Sequence, residues 1–96
     1  MPAYVIAVIR SADHSPQVAD YQRRLAPVVA RFEGRYLTTG AQLEMLEGTP
    51  APVRVVVIEF PSYEQAKVWY DSPAYKELHE TRAGHMEIDM MIVNGV

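Results

Sequence analysis

Runs of apolar residues mark the extended segments of this chain. The segment Pro52–Pro61 (PVRVVVIEFP) has four apolar β-formers in a row, from Val55 to Ile58, between two prolines. Such a short run, rich in β-branched residues, predicts a strand over Val53–Phe60 that is buried on both faces. Ala3–Ile9 shows the same pattern, because apolar residues occupy both alternating sets of positions. The pattern therefore predicts two strands that each need a cover on both sides.

Two further segments are compatible with strands. Gly34–Gly40 (GRYLTTG) predicts a short strand that Ala41–Glu47 can continue. Gly48–Pro52 predicts a turn, which would pair this strand with the one ending at Pro61. Met86–Val93 predicts the last strand, because apolar and charged residues largely alternate along it.

A helical spacing of apolar residues predicts the first helix over Pro16–Phe32. Asp13 or Ser15 can cap its N-terminus, because both carry a side-chain oxygen just before the apolar stripe. Pro27 lies inside the pattern and predicts a kink or a split, since proline removes a backbone donor. Gly34 is predicted to end the helix as its C′ residue.

The second helical region is predicted in two pieces. Ser62 caps the first piece, and Gln65 three residues later completes a capping box. The sequence Asp71–Pro73 interrupts the pattern, and a second piece follows over Pro73–Ala83. Gly84 is predicted to end it.

The resulting order is β-α-β-β-α-β in a single domain of residues 1–96, which predicts an α+β ferredoxin-like fold. The two helical regions would cover one face of a four-stranded antiparallel sheet. The other face would stay open although its strands are apolar on both sides, and an exposed apolar face of this kind predicts a partner. The simplest partner is a second copy, packed sheet to sheet as a homodimer.

Composition narrows the classes of function. The 96 residues are 49% hydrophobic and 22% charged, with a formal net charge of −3. The acidic balance argues against nucleic-acid binding, which needs clustered lysine and arginine. The absence of cysteine excludes disulfides, thiol nucleophiles and thiolate metal sites. No apolar run approaches a membrane span and the N-terminus lacks the features of a signal peptide, so a cytoplasmic location without membrane binding is expected.

Several short motifs resemble a known family. They are AYVI (3–6), GRYL (34–37), LEG (46–48), VVIEFPS (56–62), WYDSPAY (69–75) and Arg82. In this order they resemble a branch of the dimeric α+β barrel superfamily, made of short bacterial proteins catalogued as a domain of unknown function. The resemblance implies a ferredoxin-like monomer and a homodimer whose two sheets form a barrel. The wider superfamily includes cofactor-free monooxygenases acting on polyketides, lactone isomerases, haem-dependent enzymes and stress proteins. The chain departs from the branch at Ala12-Asp13-His14 and at Gly84-His85-Met86.

Glu59 is the sharpest candidate for chemistry. It shares its strand parity with three valines, so it would project to an apolar side. If that side faces a cavity, desolvation would raise its pKa and suit it to act as a general acid or base. The alternative is an ion pair at the rim of the sheet with Arg35, Arg54 or Arg82.

Aromatic and basic residues supply candidate ligand contacts. Arg35 and Tyr36 are adjacent, so they point to opposite faces of their strand. Arg35 can bind a carboxylate or enolate oxygen through two nitrogens, or it can form a surface ion pair. Trp69 and Tyr75 can line the mouth of a pocket, although buried aromatics commonly only fill the core.

The three histidines, His14, His79 and His85, have no zinc-motif spacing. His85 can be a proton shuttle or a haem ligand, with a solvated surface side chain as the alternative. Phosphate-binding loops are absent, so no nucleotide cofactor is predicted, and no other cofactor is expected.

Two functions follow from these candidates. The first is a cofactor-free enzyme acting on a small apolar or aromatic carbonyl or carboxylate compound held between the sheet and the helices. Glu59 would move a proton, and Arg35 or Arg82 would stabilise the oxyanion. The alternative is a non-catalytic dimer that binds a small ligand or serves as an interaction module. Haem binding through His85 is a weaker alternative.

Overall fold

The computed structural model describes residues 1–40 and 42–96. The elements in chain order are β1 (Ala3–Ala12), α1 (Pro16–Arg31), β2 (Arg35–Thr38), β3 (Arg54–Phe60), α2 (Tyr63–Asp71), α3 (Pro73–Arg82) and β4 (Met86–Asn94). The four strands form one antiparallel sheet in the order β2-β3-β1-β4. The predicted α+β ferredoxin-like fold is confirmed. The second helical region is divided into α2 and α3, as predicted. Of the predicted extension of β2, Ala41 lies outside the described residues and residues 42–47 form no strand.

The two segments with continuous apolar patterns occupy the centre of the sheet. β1 pairs with β3 from Ala3↔Phe60 to Ile9↔Arg54, and it pairs with β4 along its other edge. β1 also runs to Ala12, three residues past its predicted end, because its last residues pair with β4 beyond an irregularity in the register. The connection from β1 to α1 is therefore only residues 13–15.

The two faces of the sheet differ in their cover. Val5 and Ile9 of β1 and Ile58 and Phe60 of β3 point to the helices and are buried in the core. The residues of opposite parity form what we call the open face. Its apolar members are Tyr4, Ile6, Val8, Val55, Val57, Met91 and Val93. Met91 and Val93 are 46% and 41% exposed, so the expected burial of both faces holds for only one face within a single chain.

Helix α1 runs unbroken through Pro27, so of the two predicted alternatives the split is wrong and the kink stays a prediction. Val28 and Val29 follow the proline directly and are both buried in the core. Packing of an apolar stripe supplies most of the stability of a helix in a folded protein. The burial of these two valines accounts for the helix continuing past the proline.

The left-handed residue that stops helix α1 is Glu33, one position before the predicted Gly34. Glu33 has φ 68° and so takes the left-handed C′ position. The amides of Glu33 and Gly34 donate to the carbonyls of Ala30 and Val29, which is the Schellman arrangement. Gly34 serves packing instead, because a Cβ built there would lie 2.7 Å from Cε1 of Phe60 and 2.8 Å from Cγ1 of Val29.

Serine side chains cap the N-termini of α2 and α3. The Gln65 amide donates to Oγ of Ser62 at 3.0 Å, as the capping box predicts. The Gln65 side chain does not complete the box and donates to the carbonyl of Phe32 at 3.0 Å, which ties α2 to the end of α1. Ser72 Oγ donates to the Trp69 carbonyl and accepts from the Tyr75 amide, so one residue ends α2 and starts α3.

A clamp joins the segment before α1 to the turn before β4. The Asp13 amide donates to the His85 carbonyl at 3.0 Å, and Oδ2 of Asp13 lies 2.7 Å from Nδ1 of His85. Oδ1 of Asp13 accepts from the Ser15 amide at 2.9 Å. Ser15 itself caps α1 by accepting from Val18. Hydrogen bonds from Ser15 and then His85 lower the pKa of Asp13 from 3.8 to about 2.

We expect Gly34→Ala to destabilise the fold by about 1–3 kcal/mol, because the new methyl group would overpack against Phe60 and Val29. Glu33→Gly is the matched variant at the adjacent position. It should be neutral or stabilising by up to about 1 kcal/mol, because glycine relieves the left-handed backbone strain. Urea unfolding measures both changes, and equal stability of Gly34→Ala and the parent chain would contradict the packing role.

We expect the Asp13 clamp to make stability depend on pH. The pKa of Asp13 is lower in the folded state, so its contribution is present above about pH 4 and is lost as the pH falls toward 2. Asp13→Asn should therefore flatten the decline in unfolding free energy over this interval, and His85→Gln should flatten it in part. Urea unfolding at several pH values tests this, and parallel curves for the parent chain and Asp13→Asn would refute it.

Candidate functional site

Three polar side chains meet inside the helical layer. The hydroxyl oxygens of Tyr21 on α1 and Tyr75 on α3 lie 3.1 Å apart. Arg82, at the end of α3, donates from Nη2 to the Tyr75 hydroxyl at 3.4 Å. We call Tyr21, Tyr75 and Arg82 the buried relay, because all three side chains are buried.

Local sequence positions the relay. Tyr75 and Arg82 are seven residues apart, which places them on one face of a helix. Capping by Ser72 fixes where that helix begins, and Tyr75, Leu78 and Arg82 are its buried residues. Tyr21 belongs to the apolar stripe of α1 and is buried against the same core. The contact between α1 and α3 therefore brings the two hydroxyls together.

Burial governs the protonation of the relay. Burial raises the pKa of Tyr21, and the neighbouring Tyr75 adds to the effect, so the Tyr21 phenol stays protonated. Burial acts against the charge on Arg82, but hydrogen bonding to Tyr75 and the nearness of Tyr21 raise its pKa overall. The relay is thus a cation behind two phenols that can donate in sequence.

Two clefts flank the relay. The apolar cleft, about 380 Å³, lies between α1 and the sheet and is lined by residues that include Tyr21, Leu25, Tyr36, Val56 and Met86. The polar cleft, about 490 Å³, lies beside β4 and is lined by residues that include Arg10, Tyr70, His79, Arg82 and Met86. The relay thus contributes Tyr21 to one cleft and Arg82 to the other.

Glu59 and Arg35 lie apart from the relay. Nε of Arg35 is 2.6 Å from Oε1 of Glu59, and the two residues face each other across β2 and β3. Glu59 alternates with the buried residues Ile58 and Phe60, so it belongs to the open face. The structure therefore separates Glu59 from Arg82, and the prediction that both act in one cavity between sheet and helices is wrong. Glu59 stays a candidate acid or base only for a ligand at the edge of the open face.

The remaining aromatic candidates have different surroundings. Tyr36 lines the apolar cleft, and partial burial raises its pKa. Trp69 is fully buried, with its ring centroid 4.5 Å from that of Tyr75 and 5.3 Å from that of Phe60. Its place in the aromatic core means that it supports the relay through packing.

His85 is held by Asp13 at the end of the molecule where α3 turns into β4. With Nδ1 engaged, Nε2 is the nitrogen left for other partners. Haem binding and proton transfer through His85 stay predictions. Across residues 1–40 and 42–96, no three His, Asp or Glu side chains cluster as metal ligands. Over the same ranges, no helix has the length and apolar character that crossing a membrane requires.

Sequence reasoning missed two residues of this arrangement. The helical spacing over Pro16–Phe32 indicates only that Tyr21 belongs to an apolar stripe. Its hydroxyl among buried apolar neighbours is the available signal, since a buried phenol needs a partner. For Asp13 the sequence predicts only a possible role as a helix cap. Its pairing with His85, 72 residues away, follows from the topology and has no local signal.

Solved structures support the fold assignment. A protein of unknown function from Rhodopseudomonas palustris is 20% identical, with a TM-score of 0.76 over 99% of this chain and 82% of that chain. A dimeric protein of unknown function with a ferredoxin-like fold from Bacteroides fragilis is 13% identical, with a TM-score of 0.63 over 98% and 96%. A dimeric ferredoxin-like protein from Thermobifida fusca is 21% identical, with a TM-score of 0.61 over 97% and 88%. At these identities the likeness concerns the fold.

Sequence comparison assigns the family. No curated protein matches the chain. One family model, described as a domain of unknown function (DUF1330), matches residues 2–96. This match confirms the resemblance to a domain-of-unknown-function branch that the sequence motifs indicated. Because the match spans nearly the whole sequence, the chain belongs to the DUF1330 family.

Proposed function

We propose that this protein is a homodimer that binds a small apolar or aromatic compound in the apolar cleft and stabilises an oxyanion on it through the buried relay. The compound would carry a carbonyl, carboxylate or phenol oxygen. The observation that supports the proposal is the chain of contacts from Arg82 through Tyr75 to Tyr21, which forms part of the cleft wall.

The lining of the apolar cleft favours a ligand of this kind. Leu25, Val56 and Met86 supply apolar surface, and Tyr36 adds an aromatic ring. Small-molecule sites typically combine such a lining with a few well-placed polar groups. A ligand of one or two rings fits a volume of about 380 Å³.

The relay provides a directional set of donors. Arg82 donates to Tyr75, and when Tyr75 donates to Tyr21 the Tyr21 hydrogen is free for a ligand oxygen. Negative charge on that oxygen would be stabilised by the phenol and by the cation behind it. Preorganised donors in a site with little water are effective stabilisers of developing negative charge.

Cofactor-free catalysis is a second candidate, favoured by the same relay because enolate-forming reactions require such stabilisation. Against it, the described lining of the apolar cleft includes no carboxylate or imidazole that could take a proton. Glu59 lies on the other face of the sheet, so it does not supply this base. Ligand binding without turnover is therefore the function that the geometry supports best.

We expect 4-nitrophenol, an aromatic compound whose visible absorbance reports its ionisation, to bind saturably and to be held as the phenolate. Tyr21→Phe should weaken this binding about tenfold or more, because it removes one hydrogen bond to a charged oxygen. Tyr63→Phe, at the exposed start of α2, is the control and should bind as the parent chain does. Absorbance titration measures all three proteins. Equal affinity of Tyr21→Phe and the parent chain, or no saturable binding, would refute the proposed site.

The open face supports the dimer. Ile6 on β1 lies between Val57 on β3 and Met91 on β4, so apolar side chains form a continuous central band. Ion pairs lie toward its margins, Arg35–Glu59 at one and Arg10–Asp89 at the other. An apolar centre with a charged rim is typical of protein interfaces. Two structurally similar proteins are described as dimeric, which favours a second copy as the partner.

We expect the chain to sediment as a dimer at micromolar concentration and Val57→Lys to sediment as a folded monomer. A lysine at the centre of the open face would bury an unpaired charge on association, which should weaken dimerisation by about a hundredfold or more. Val68→Lys, which adds the same charge at an exposed position of α2, should remain dimeric. Sedimentation velocity with circular dichroism tests this, and a monomeric parent chain would contradict it.

A further inference from the structure

The wall of the polar cleft includes a buried cation, Arg82. Arg82 is 8% exposed, and its Nε has no hydrogen-bond partner among the residues described. Among the residues described, Nη2 of its guanidinium donates to the Tyr75 hydroxyl, and the guanidinium lies over the Tyr21 ring, 5.3 Å from its centroid. An unpaired buried N–H is costly, so it commonly marks a position where a further group binds.

The positive charge of Arg82 is reinforced from its own helix. Lys76 and His79 precede it at three-residue intervals on α3, which places all three near one face. Burial lowers the pKa of His79, and the charges of Arg82 and Lys76 lower it further. Lys76 also lies over the Tyr70 ring, with Nζ 3.9 Å from its centroid. Tyr70, His79 and Arg82 line this side of the cleft.

Acidic groups face the same space. Asp89 of β4 is paired with Arg10 of β1, with 3.3 Å between Oδ2 and Nε, so the two charges largely cancel. Glu87 of β4 also lines the cleft but is exposed, and Glu80 of α3 partly offsets the cations near His79. The buried charge that no acidic group in the described chain pairs with is that of Arg82.

We propose that the polar cleft is a binding site for a small oxyanion, a carboxylate or a phosphate group, held by the Arg82 guanidinium with His79 beside it. Arginine presents parallel N–H donors that match the oxygens of these anions. The site is distinct from the apolar cleft. Anion binding in the polar cleft can be measured whether or not a ligand occupies the apolar cleft.

The experiment follows the imidazole signals of the three histidines by NMR, with His79→Gln used for assignment. Addition of inorganic phosphate or of benzoate should shift the His79 signal saturably and raise its titration midpoint, because a bound anion favours the imidazolium. The His85 signal is the internal control for a general ionic-strength effect. A tighter response to benzoate would assign the site to organic carboxylates, and a tighter response to phosphate would assign it to phosphate groups. No saturable response to either anion would overturn the proposal.

Two variants test the assignment to Arg82. Arg82→Lys keeps the charge but loses the parallel donors, and it should weaken anion binding about tenfold. Glu87→Gln changes an exposed residue and removes a repelling charge, so it should strengthen binding about two- to fivefold even if Arg82→Lys folds poorly. Arg31→Gln, at the exposed end of α1, should leave binding unchanged. Unchanged affinity in Glu87→Gln and in a folded Arg82→Lys would refute the site.

Discussion

The pairing of β1 with both β3 and β4 is the constraint on which the rest of the structure depends. It places a strand with apolar residues on both sides at the centre of the sheet. Side chains alternate along a strand, so this register sends Val5 and Ile9 to the helices and Ile6 and Val8 to the open face. The helices that this chain of 96 residues forms cover only one face of the sheet in the part of the chain that the structure describes. The helical layer and the dimer that we propose are two consequences of that register.

The helical face in turn determines where polar chemistry can occur. Trp69, Tyr75 and Phe60 fill the space between helices and sheet with aromatic rings. Two tyrosines in such a core bring hydroxyl groups that need partners, and each hydroxyl supplies one for the other. Arg82 adds a charge that is tolerated because its guanidinium donates to the Tyr75 hydroxyl. The relay is thus a result of packing large amphipathic side chains into a small core.

The sequence predicts the elements of this fold well, because hydrophobic periodicity reflects burial directly. The capping serines Ser15 and Ser62 lie where the pattern places them. The errors arise where tertiary packing outweighs local preference. Burial of Val28 and Val29 keeps α1 helical past Pro27, and the close approach of the Phe60 ring leaves no room for a side chain at Gly34.

The site was less predictable, for a related reason. The alternation of side chains along a strand correctly places Arg35 and Tyr36 on opposite faces of the sheet, but it does not show which face the helices cover. The hypothesis of an enzyme places Glu59 in a cavity, whereas the helices pack on the side of Ile58 and Phe60 and Glu59 forms the alternative ion pair with Arg35. Contacts such as Tyr21 with Tyr75 and Asp13 with His85 join residues 54 and 72 positions apart. No local pattern encodes such pairs, because they depend on how the helices cross and where the chain returns.

Arg82 links the two proposed sites physically. Its Nη2 belongs to the relay that ends at the apolar cleft, and its guanidinium is the group that we assign to the oxyanion. A bound anion would draw on the same positive charge that strengthens Tyr75 and Tyr21 as donors. Binding of an anion in the polar cleft and of an oxyanion in the apolar cleft would therefore oppose each other, and by linkage each would weaken the other by the same factor. A single buried arginine is sufficient for this coupling, so it needs no movement of the helices that hold it.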